Sequence, residues 1–207
     1  MDPRFLDWAR RLQAAAQSGL AFTKNPFEIE RYEEVRRIAA EMMAAAAEIQ
    51  VEKVEALFAN ENGYGTVKIG VRGVVFDGED RVLLVKERAD GLWTLPGGFA
   101  DVGLSGAENT VKEIEEESGY QTRAVRLLAV LDREKHPHPL PYPYHVYNLF
   151  FLCEKTGGQA RISAETEDVG FFFLDDLPPL SEGRVLPEQI KLMRQLCDDP
   201  ERVPYFD

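Results

Sequence analysis

Three glutamates, Glu113, Glu116 and Glu117, occur at positions i, i+3 and i+4. On an α-helix this spacing places the three carboxylates within an arc of about 100°. Like charges so close destabilise an isolated helix, whereas Mg²⁺ or Mn²⁺ prefers hard oxygen ligands and bridges carboxylates to phosphate oxygens. The spacing alone leaves two interpretations open: a divalent-metal site and a solvated acidic helix face.

The flanking residues predict the helix that these carboxylates need. Ser105 and Glu108 have the spacing of a capping box, and Gly119 has the position of a C-terminal stop. The predicted helix covers roughly residues 106–118. The face expected to pack contains Ala107, Val111, Ile114 and Ser118. Glycines just before the helix let the backbone approach the acids, and Gly97 could offer its carbonyl as a further ligand.

The first sixty residues have helical spacing. Asp2 and Pro3 predict a helix start, and Gly19 predicts its end. The run Asn25-Pro26-Phe27-Glu28 predicts the start of a second helix, which Val51–Phe58 continues or follows as a third. The predicted apolar side of the second helix contains Val35, Ile38, Met42, Ala45 or Ala46, and Ile49. So few helices cannot bury their apolar faces alone, so we expect packing on the following domain or a homodimer.

From Thr66 onward the pattern changes to the alternation of strands. Strands are predicted at residues 67–76, 81–86, 93–95, 124–131, 144–153, 158–162 and 169–174, and a closing helix at 187–196. Mixed strands with one central and one terminal helix predict an α+β fold or a layered α/β/α domain. The predicted domains are an N-terminal helical domain, residues 1–62, and a second domain, residues 63–207.

The composition limits the classes of partner. The 207 residues carry a formal net charge of −12, which opposes electrostatic binding of nucleic acid. The N-terminus has no apolar secretory core, and no run approaches 18 apolar residues. The two cysteines, Cys153 and Cys197, predict buried thiols rather than a disulfide framework. We therefore expect a protein of a reducing, cytoplasmic compartment with no nucleic-acid or membrane partner; a small phosphate ligand held through a metal ion stays open.

The stretch GGFADVGLSGAENTVKEIEEESGY, from Gly97 to Tyr120, resembles the Nudix box of the Nudix hydrolases. That pattern has Gly, five residues, Glu, seven residues, and then Arg-Glu-apolar-x-Glu-Glu-x-Gly-apolar. Counted from Gly98, the spacing fits without a gap. The resemblance implies a mixed sheet between helices with a strand–loop–helix metal site. It also implies Mg²⁺- or Mn²⁺-dependent hydrolysis of a nucleoside diphosphate linked to another group.

Carried over by position, Glu113, Glu116 and Glu117 match the family's metal-binding and catalytic glutamates. Gly97 matches the glycine that supplies a backbone carbonyl to the metal. The resemblance thus implies a metal site formed by these four residues.

Two positions depart from the family pattern. Leu104 stands where the family has Glu, and Lys112 stands where it has Arg. Lys112 keeps the positive charge that holds the neighbouring glutamates but loses the planar fork of arginine. Leu104 removes an accessory carboxylate, for which Asp101 could compensate. An exposed turn aspartate is the alternative for Asp101.

Further candidates lie outside the box. Glu165 and Glu167 precede a predicted final strand and are candidates for the general base or an extra metal ligand, with a solvated acidic loop as the alternative. The candidate substrate contacts are Arg72, His136, His138 and Tyr147. The alternative for His136 and His138 is that they cap a loop, and the alternative for Tyr147 is that it packs in the core or at an edge.

The resemblance extends more loosely over nearly the whole chain. The N-terminal helices and residues 135–147 and 165–172 look like a Nudix subfamily that includes CDP-choline pyrophosphatase and hydrolases of ADP-ribose-like compounds. The expected function is metal-dependent pyrophosphohydrolysis of such a compound. The alternative is a catalytically impaired Nudix domain that binds a nucleotide derivative or regulates a partner. RNA decapping is disfavoured by the negative charge.

Overall fold

The structure is a computed structural model that describes residues 4–139, 141–199 and 201–207. Its contacts divide the chain into two units, residues 1–67 with 140–145, and residues 68–139 with 146–207. The first unit is helical, and the second combines helices with a mixed set of strands, which confirms the predicted α+β class. Within the described residues, no helix is both long and apolar enough to cross a membrane.

The first unit contains helices α1 (Arg4–Phe22), α2 (Pro26–Ala47) and α3 (Val51–Phe58). Asn25 caps α2 as predicted, because its side chain accepts a hydrogen bond from the Phe27 amide. Glu48 ends α2 in the left-handed conformation, so α3 is a separate helix. The predicted helix start at Asp2 and Pro3 lies outside the described residues.

Gly19 does not end α1, so that prediction was wrong. The helix continues to Phe22, and a Cβ atom at Gly19 would lie 2.4 Å from the ring of Tyr32 in α2. The missing side chain therefore admits an aromatic ring at close range, which is a packing use of glycine rather than a capping use.

The predicted apolar side of α2 was also wrong. The buried residues are Ala39, Ala40, Met43 and Ala44, whereas Ile38 and Ile49 are exposed. The buried side thus combines three alanines with Met43, and Met42 packs against the same cluster while partly buried. The exposed large apolar side chains of the helices and their ends are Trp8, Leu12, Phe22, Phe27, Ile38, Ile49 and Leu57.

Residues 63–67 and 140–145 belong to the helical unit by their contacts, whereas the predicted domain boundary placed them in the second domain. The Ser18 hydroxyl accepts a hydrogen bond from the Gly65 amide at 3.0 Å. The Arg10 guanidinium donates twice to the Tyr142 carbonyl. The Tyr144 ring packs edge-on against Phe58, with the centroids 5.5 Å apart. These contacts explain why the 140–145 segment belongs to the helical unit although it lies far beyond residue 62 in the sequence.

The second unit contains two sheets. Its strands are β1 (Lys68–Val74), β2 (Val82–Glu87), β3 (Trp93–Thr94), β4 (Tyr120–Asp132), β5 (Val146–Gly158), β6 (Thr166–Phe172) and β7 (Tyr205–Phe206). One sheet has the order β1-β5-β4-β7, and the other has the order β3-β2-β6. β1 pairs with β5 in parallel and β4 pairs with β5 antiparallel, so the larger sheet is mixed as predicted.

Two helices, α4 (Gly106–Ser118) and α5 (Pro187–Cys197), pack on opposite sides of β2. Leu83 and Leu84 are consecutive strand residues and face opposite directions. Leu83 joins a buried cluster with Ile114 of α4, and Leu84 joins another with Ile190 of α5. This layering anchors α4, and with it the glutamates, against the strands.

The strand prediction failed at two places. The strand expected over residues 158–162 is absent, because β5 continues to Gly158 and the chain turns there with a φ of 73°. The two-residue strand β7, which pairs with Ala129 and Val130, was missed. So short a strand has no alternation from which to predict it.

Candidate active site

Helix α4 begins and ends as its sequence predicts. The Ser105 hydroxyl accepts from the Glu108 amide, and the Glu108 carboxylate accepts from the Ser105 amide at 2.8 Å. Gly119 ends the helix in the left-handed conformation, with a φ of 76°. The acids therefore occupy one defined helical face. Of the predicted packing face, Ile114 and Ser118 are fully buried.

The Gly97–Gly98 loop runs along β1 and brings backbone to α4. The Val71 amide donates to the Gly98 carbonyl at 2.9 Å, and the Gly73 amide donates to the Pro96 carbonyl at 2.8 Å. Gly97 has a φ of 147°, and a Cβ atom there would lie 2.1 Å from the Val71 carbonyl oxygen. Only glycine permits this approach.

Glu117 is the buried member of the three glutamates, and only 5% of it is exposed. Its carboxylate accepts a hydrogen bond from the Gly97 amide at 2.9 Å. Burial raises the pKa of Glu117 to about 8, although the Gly97 amide and the charge of Arg72 oppose that rise. The Thr166 hydroxyl, on β6, donates to the backbone carbonyl of Glu117 and ties the helix end to the sheet.

Glu113 and Glu116 lie progressively closer to solvent. Glu113 is half-buried beside Gly98, where a Cβ atom would lie 3.0 Å from a Glu113 carboxylate oxygen. Burial also raises the pKa of Glu113. Glu116 is exposed and lies 3.3 Å from the Lys112 ammonium, which also contacts Asp101 at 2.9 Å. The three glutamates share one arc as predicted, but their burial differs: Glu117 is buried, Glu113 is half-buried and Glu116 is exposed.

Arg72 points from β1 to the same loop. Its guanidinium donates to the Gly97 carbonyl, the backbone atom that the resemblance assigns to the metal. Its positive charge lowers the pKa of Glu113 and Glu117, against the larger effect of burial. Arg72 thus brings a positive charge to the loop that Glu113 and Glu117 adjoin.

Glu165 and Glu167 have different surroundings although they are two residues apart. Thr166 is the first residue of β6, and its buried hydroxyl donates to the Glu117 carbonyl; Glu165 precedes the strand, whereas Glu167 lies in it. Glu167 forms an ion pair with Lys86 at 2.6 Å, and this contact lowers the pKa of Glu167. Glu165 is exposed, and its negative charge raises the pKa of Glu113. Glu165 therefore interacts electrostatically with Glu113 of α4, whereas the contact shown for Glu167 is with Lys86.

The predicted histidines contact other parts of the chain. His136, after the short 3-10 helix Arg133–Lys135, lies 3.3 Å from the Asp207 carboxylate. The Nδ1 atom of His138 is 2.6 Å from the Glu182 carbonyl, and burial lowers the pKa of His138. Tyr147 is half-buried on β5 opposite Ile69 and Asp132. These contacts favour the loop-capping alternative for the histidines.

Glu87, at the end of β2, was missed by the sequence analysis. It is 8% exposed, and burial raises its pKa. Its charge also raises the pKa of Glu117, while Arg184 lies 3.6 Å away and lowers that of Glu87. The available signal in the sequence was an acid that ends an apolar strand. Such an acid is expected to have a partner if the fold buries it, because acids are rarely buried without one.

The donors fit a hard divalent cation by their chemistry. Within residues 4–139, 141–199 and 201–207, no three acidic, histidine or cysteine side chains converge closely enough to hold a metal ion. In this arrangement protein cations contact the donors instead: Arg72 contacts the Gly97 carbonyl, and Lys112 contacts Glu116. Carboxylate and carbonyl oxygens suit Mg²⁺ or Mn²⁺.

Two family models match the chain in succession. Residues 3–58 match the UDP-X-like N-terminal oligomerisation domain, and residues 66–196 match the NUDIX domain. The second match covers more than half of the chain and contains the whole site. The chain belongs to the Nudix family.

Individual relatives agree with this assignment. The Bacillus subtilis protein named "Putative ADP-ribose pyrophosphatase YjhB" is 49% identical over 204 residues, which cover 99% of this chain and 97% of that protein. The crystal structure of a UDP-X diphosphatase is 37% identical, with a TM-score of 0.64, and covers 99% of this chain and 98% of that one. An ADP-ribose pyrophosphatase from Streptococcus suis is 40% identical, with a TM-score of 0.62, over 69% of this chain and all of that one. This Nudix protein is therefore a hydrolase that cleaves pyrophosphate bonds in nucleoside diphosphate-linked compounds.

Proposed function

We propose that this Nudix hydrolase uses Mg²⁺ or Mn²⁺ to hydrolyse a nucleoside diphosphate linked to a sugar-like or other moiety. ADP-ribose-like and UDP-linked compounds are the first candidates, because relatives over most of the chain carry those names. CDP-choline is a further candidate suggested by the sequence. The observation that carries the proposal is the placement of Glu113 and Glu117 around the Gly97–Gly98 loop.

The proposed metal ligands are Glu113, Glu116, Glu117 and the Gly97 carbonyl. When bound, the metal ion would neutralise phosphate charge and lower the pKa of a water molecule. Arg72 lies at the same loop and is suited to bind a substrate phosphate by charge-assisted hydrogen bonds.

Glu165 is the proposed general base. Its exposed carboxylate can accept a proton from water, and it lies within electrostatic range of Glu113. Glu167 is a weaker candidate for base or ligand, because its carboxylate is paired with Lys86. His136, His138 and Tyr147 stay predictions as substrate contacts.

We also infer a homodimer formed through the N-terminal helices. That unit exposes several large apolar side chains, among them Trp8, Phe22 and Phe27, and its family model is an oligomerisation domain. A monomeric mass by light scattering at micromolar concentration would contradict the dimer. A reducing, cytoplasmic location is part of the proposal, supported by the two free cysteines, Cys153 and Cys197.

A substrate panel tests the activity. ADP-ribose, UDP-sugars, CDP-choline and nucleoside triphosphates are incubated with Mg²⁺, Mn²⁺ or EDTA, and Glu116→Gln serves as the impaired control. We expect metal-dependent cleavage of at least one diphosphate-linked compound and loss of that cleavage in EDTA. Leu104 in place of the box glutamate supports the alternative of a binding module. Saturable nucleotide binding without cleavage by any metal form would favour that module.

A further inference from the structure

The loop that carries Leu104 is fixed by one buried side chain. Asn109 is fully buried, and its side-chain amide donates to the carbonyls of Asp101, Leu104 and Ser105 at 3.1–3.3 Å. Its side-chain oxygen accepts from the Asp101 amide at 2.9 Å. Asn109 therefore holds both backbone groups of Asp101, so the start of that side chain has a defined position beside α4.

Asp101 and Glu116 share one cation. The Lys112 ammonium lies 2.9 Å from the Asp101 carboxylate and 3.3 Å from that of Glu116. Lys112 and Glu116 are one helical turn apart, so a lysine with no other partner would bind Glu116 directly. Asp101 offers a closer partner from outside the helix. Leu104 is 41% exposed and has no group that could do the same.

We propose that Asp101 is a positioning residue that replaces the carboxylate absent at Leu104. By binding Lys112 more closely than Glu116 does, Asp101 competes for the shared ammonium and makes the Glu116 carboxylate easier to transfer to a divalent cation. The inference rests on the proposed metal-dependent function. It assigns the effect of Asp101 to Lys112 and not to direct contact with the metal.

Mn²⁺ binding without substrate tests the inference. The free Mn²⁺ signal is measured by electron paramagnetic resonance for the full-length chain and for Asp101→Asn, Lys112→Gln and the double variant. Glu115→Gln is the matched control, because it removes one exposed carboxylate that neighbours Glu116 in sequence. Thermal melting in EDTA checks that every variant is folded.

We expect Asp101→Asn to weaken Mn²⁺ binding by about two- to five-fold, the range of an exposed ion pair. The effect should exceed that of Glu115→Gln and should nearly vanish in the Lys112→Gln background. An equal effect of Asp101→Asn in both backgrounds would overturn the inference, as would an effect no larger than that of the control. No Mn²⁺ binding to the unaltered chain would also overturn it.

A gain-of-function variant tests the replacement itself. Leu104→Glu in the Asp101→Asn background should recover most of the lost Mn²⁺ affinity, because Asn109 holds both positions on one loop. No recovery would contradict the replacement of the Leu104 carboxylate by Asp101. Cleavage of the substrate panel is measured in parallel. A chain that shows the expected Mn²⁺ pattern but cleaves nothing would refute the proposed hydrolysis and leave the role of Asp101 intact.

Discussion

Helix α4 and the loop that follows β4 both present titratable side chains, but their contacts differ. Glu113 packs beside Gly98, and Glu117 binds the Gly97 amide, so both acids meet one loop. His136 lies against the Asp207 carboxylate, and His138 lies against the Glu182 carbonyl. The glutamates thus surround a shared volume, whereas each histidine contacts a different distant segment.

This difference follows from how each element positions side chains. A helix repeats its geometry, so residues three and four apart lie together wherever the helix packs. A loop has no such repeat, and its polar side chains bind whichever backbone or terminal groups come near. Convergence on a common loop therefore separates the proposed catalytic acids from side chains that only fix a connection.

The largest expected effect is a difference in kcat between variants of the two acids that flank Thr166. Glu165→Gln should lower kcat by about 10²–10⁴-fold if Glu165 takes the proton from water. Glu167→Gln is the matched control, because its carboxylate is paired with Lys86, and it should lower kcat only a few-fold. Steady-state kinetics with the best substrate of the panel measure both. Equal losses would remove the distinction between Glu165 and the ion-paired Glu167.

The glycine loop that the acids surround should be sensitive to a single methyl group. Gly97→Ala should reduce the free energy of unfolding by about 3–5 kcal/mol, because its Cβ would collide with the Val71 carbonyl at an unfavourable φ. Gly78→Ala is the control, since a Cβ there meets no atom within 4 Å. Urea unfolding in EDTA measures the two. A Gly97→Ala variant as stable as the control would refute the close approach of loop and strand.

The site was predictable where local rules dominate. The capping box, the stop at Gly119 and the spacing of the glutamates depend on residues within one helix, and the structure places α4 at the predicted residues. What spacing could not provide was the grade of burial from Glu117 to Glu116. The burial of each glutamate depends on β1 and β6, which are distant in sequence. The effect of Glu87, on β2, on the pKa of Glu117 depends on tertiary packing in the same way.

The errors have a common physical origin. Gly19 was predicted to stop α1, and the apolar side of α2 was assigned to a face with Ile38 and Ile49, which are exposed. Both predictions ignored how closely two helices approach where one of them has a small residue, as α1 does with Gly19 beneath the Tyr32 ring. The absent strand over residues 158–162 is a similar case, because the turn at Gly158 ends the pairing. Tertiary packing decided each outcome over the local pattern.

Glu117 should make the metal-free protein less stable as the pH rises. Its pKa is about 8 in the folded chain, against an ordinary value of 4.5, so the unfolded chain releases this proton first. The contribution to stability is fully present below pH 4.5 and is lost as the pH rises towards 8. We expect a fall of about 1–3 kcal/mol in the free energy of unfolding between pH 5 and pH 7, measured in EDTA.

Two variants show which group causes that fall. Glu117→Gln resembles the protonated acid and should flatten the pH dependence, leaving a smaller slope from Glu113 and Glu87, whose pKa values burial also raises. His138→Gln should not flatten the slope, because a histidine whose pKa is lowered by burial contributes stability that rises, and does not fall, with pH. A slope that survives Glu117→Gln and disappears in His138→Gln would reverse the comparison between helix and loop.

The smallest expected effect concerns His136. His136→Gln should change kcat/KM by less than about two-fold and the free energy of unfolding by less than about 0.5 kcal/mol, as for a side chain remote from the chemistry. Asp207→Asn should have an effect of similar size on stability, since the Asp207 carboxylate contacts His136 and accepts from the Asp132 amide. Kinetics at saturating and limiting substrate provide the decisive measurement. A ten-fold rise in KM with His136→Gln alone would mean that this histidine leaves Asp207 to bind substrate, and the loop would then join α4 as part of the site.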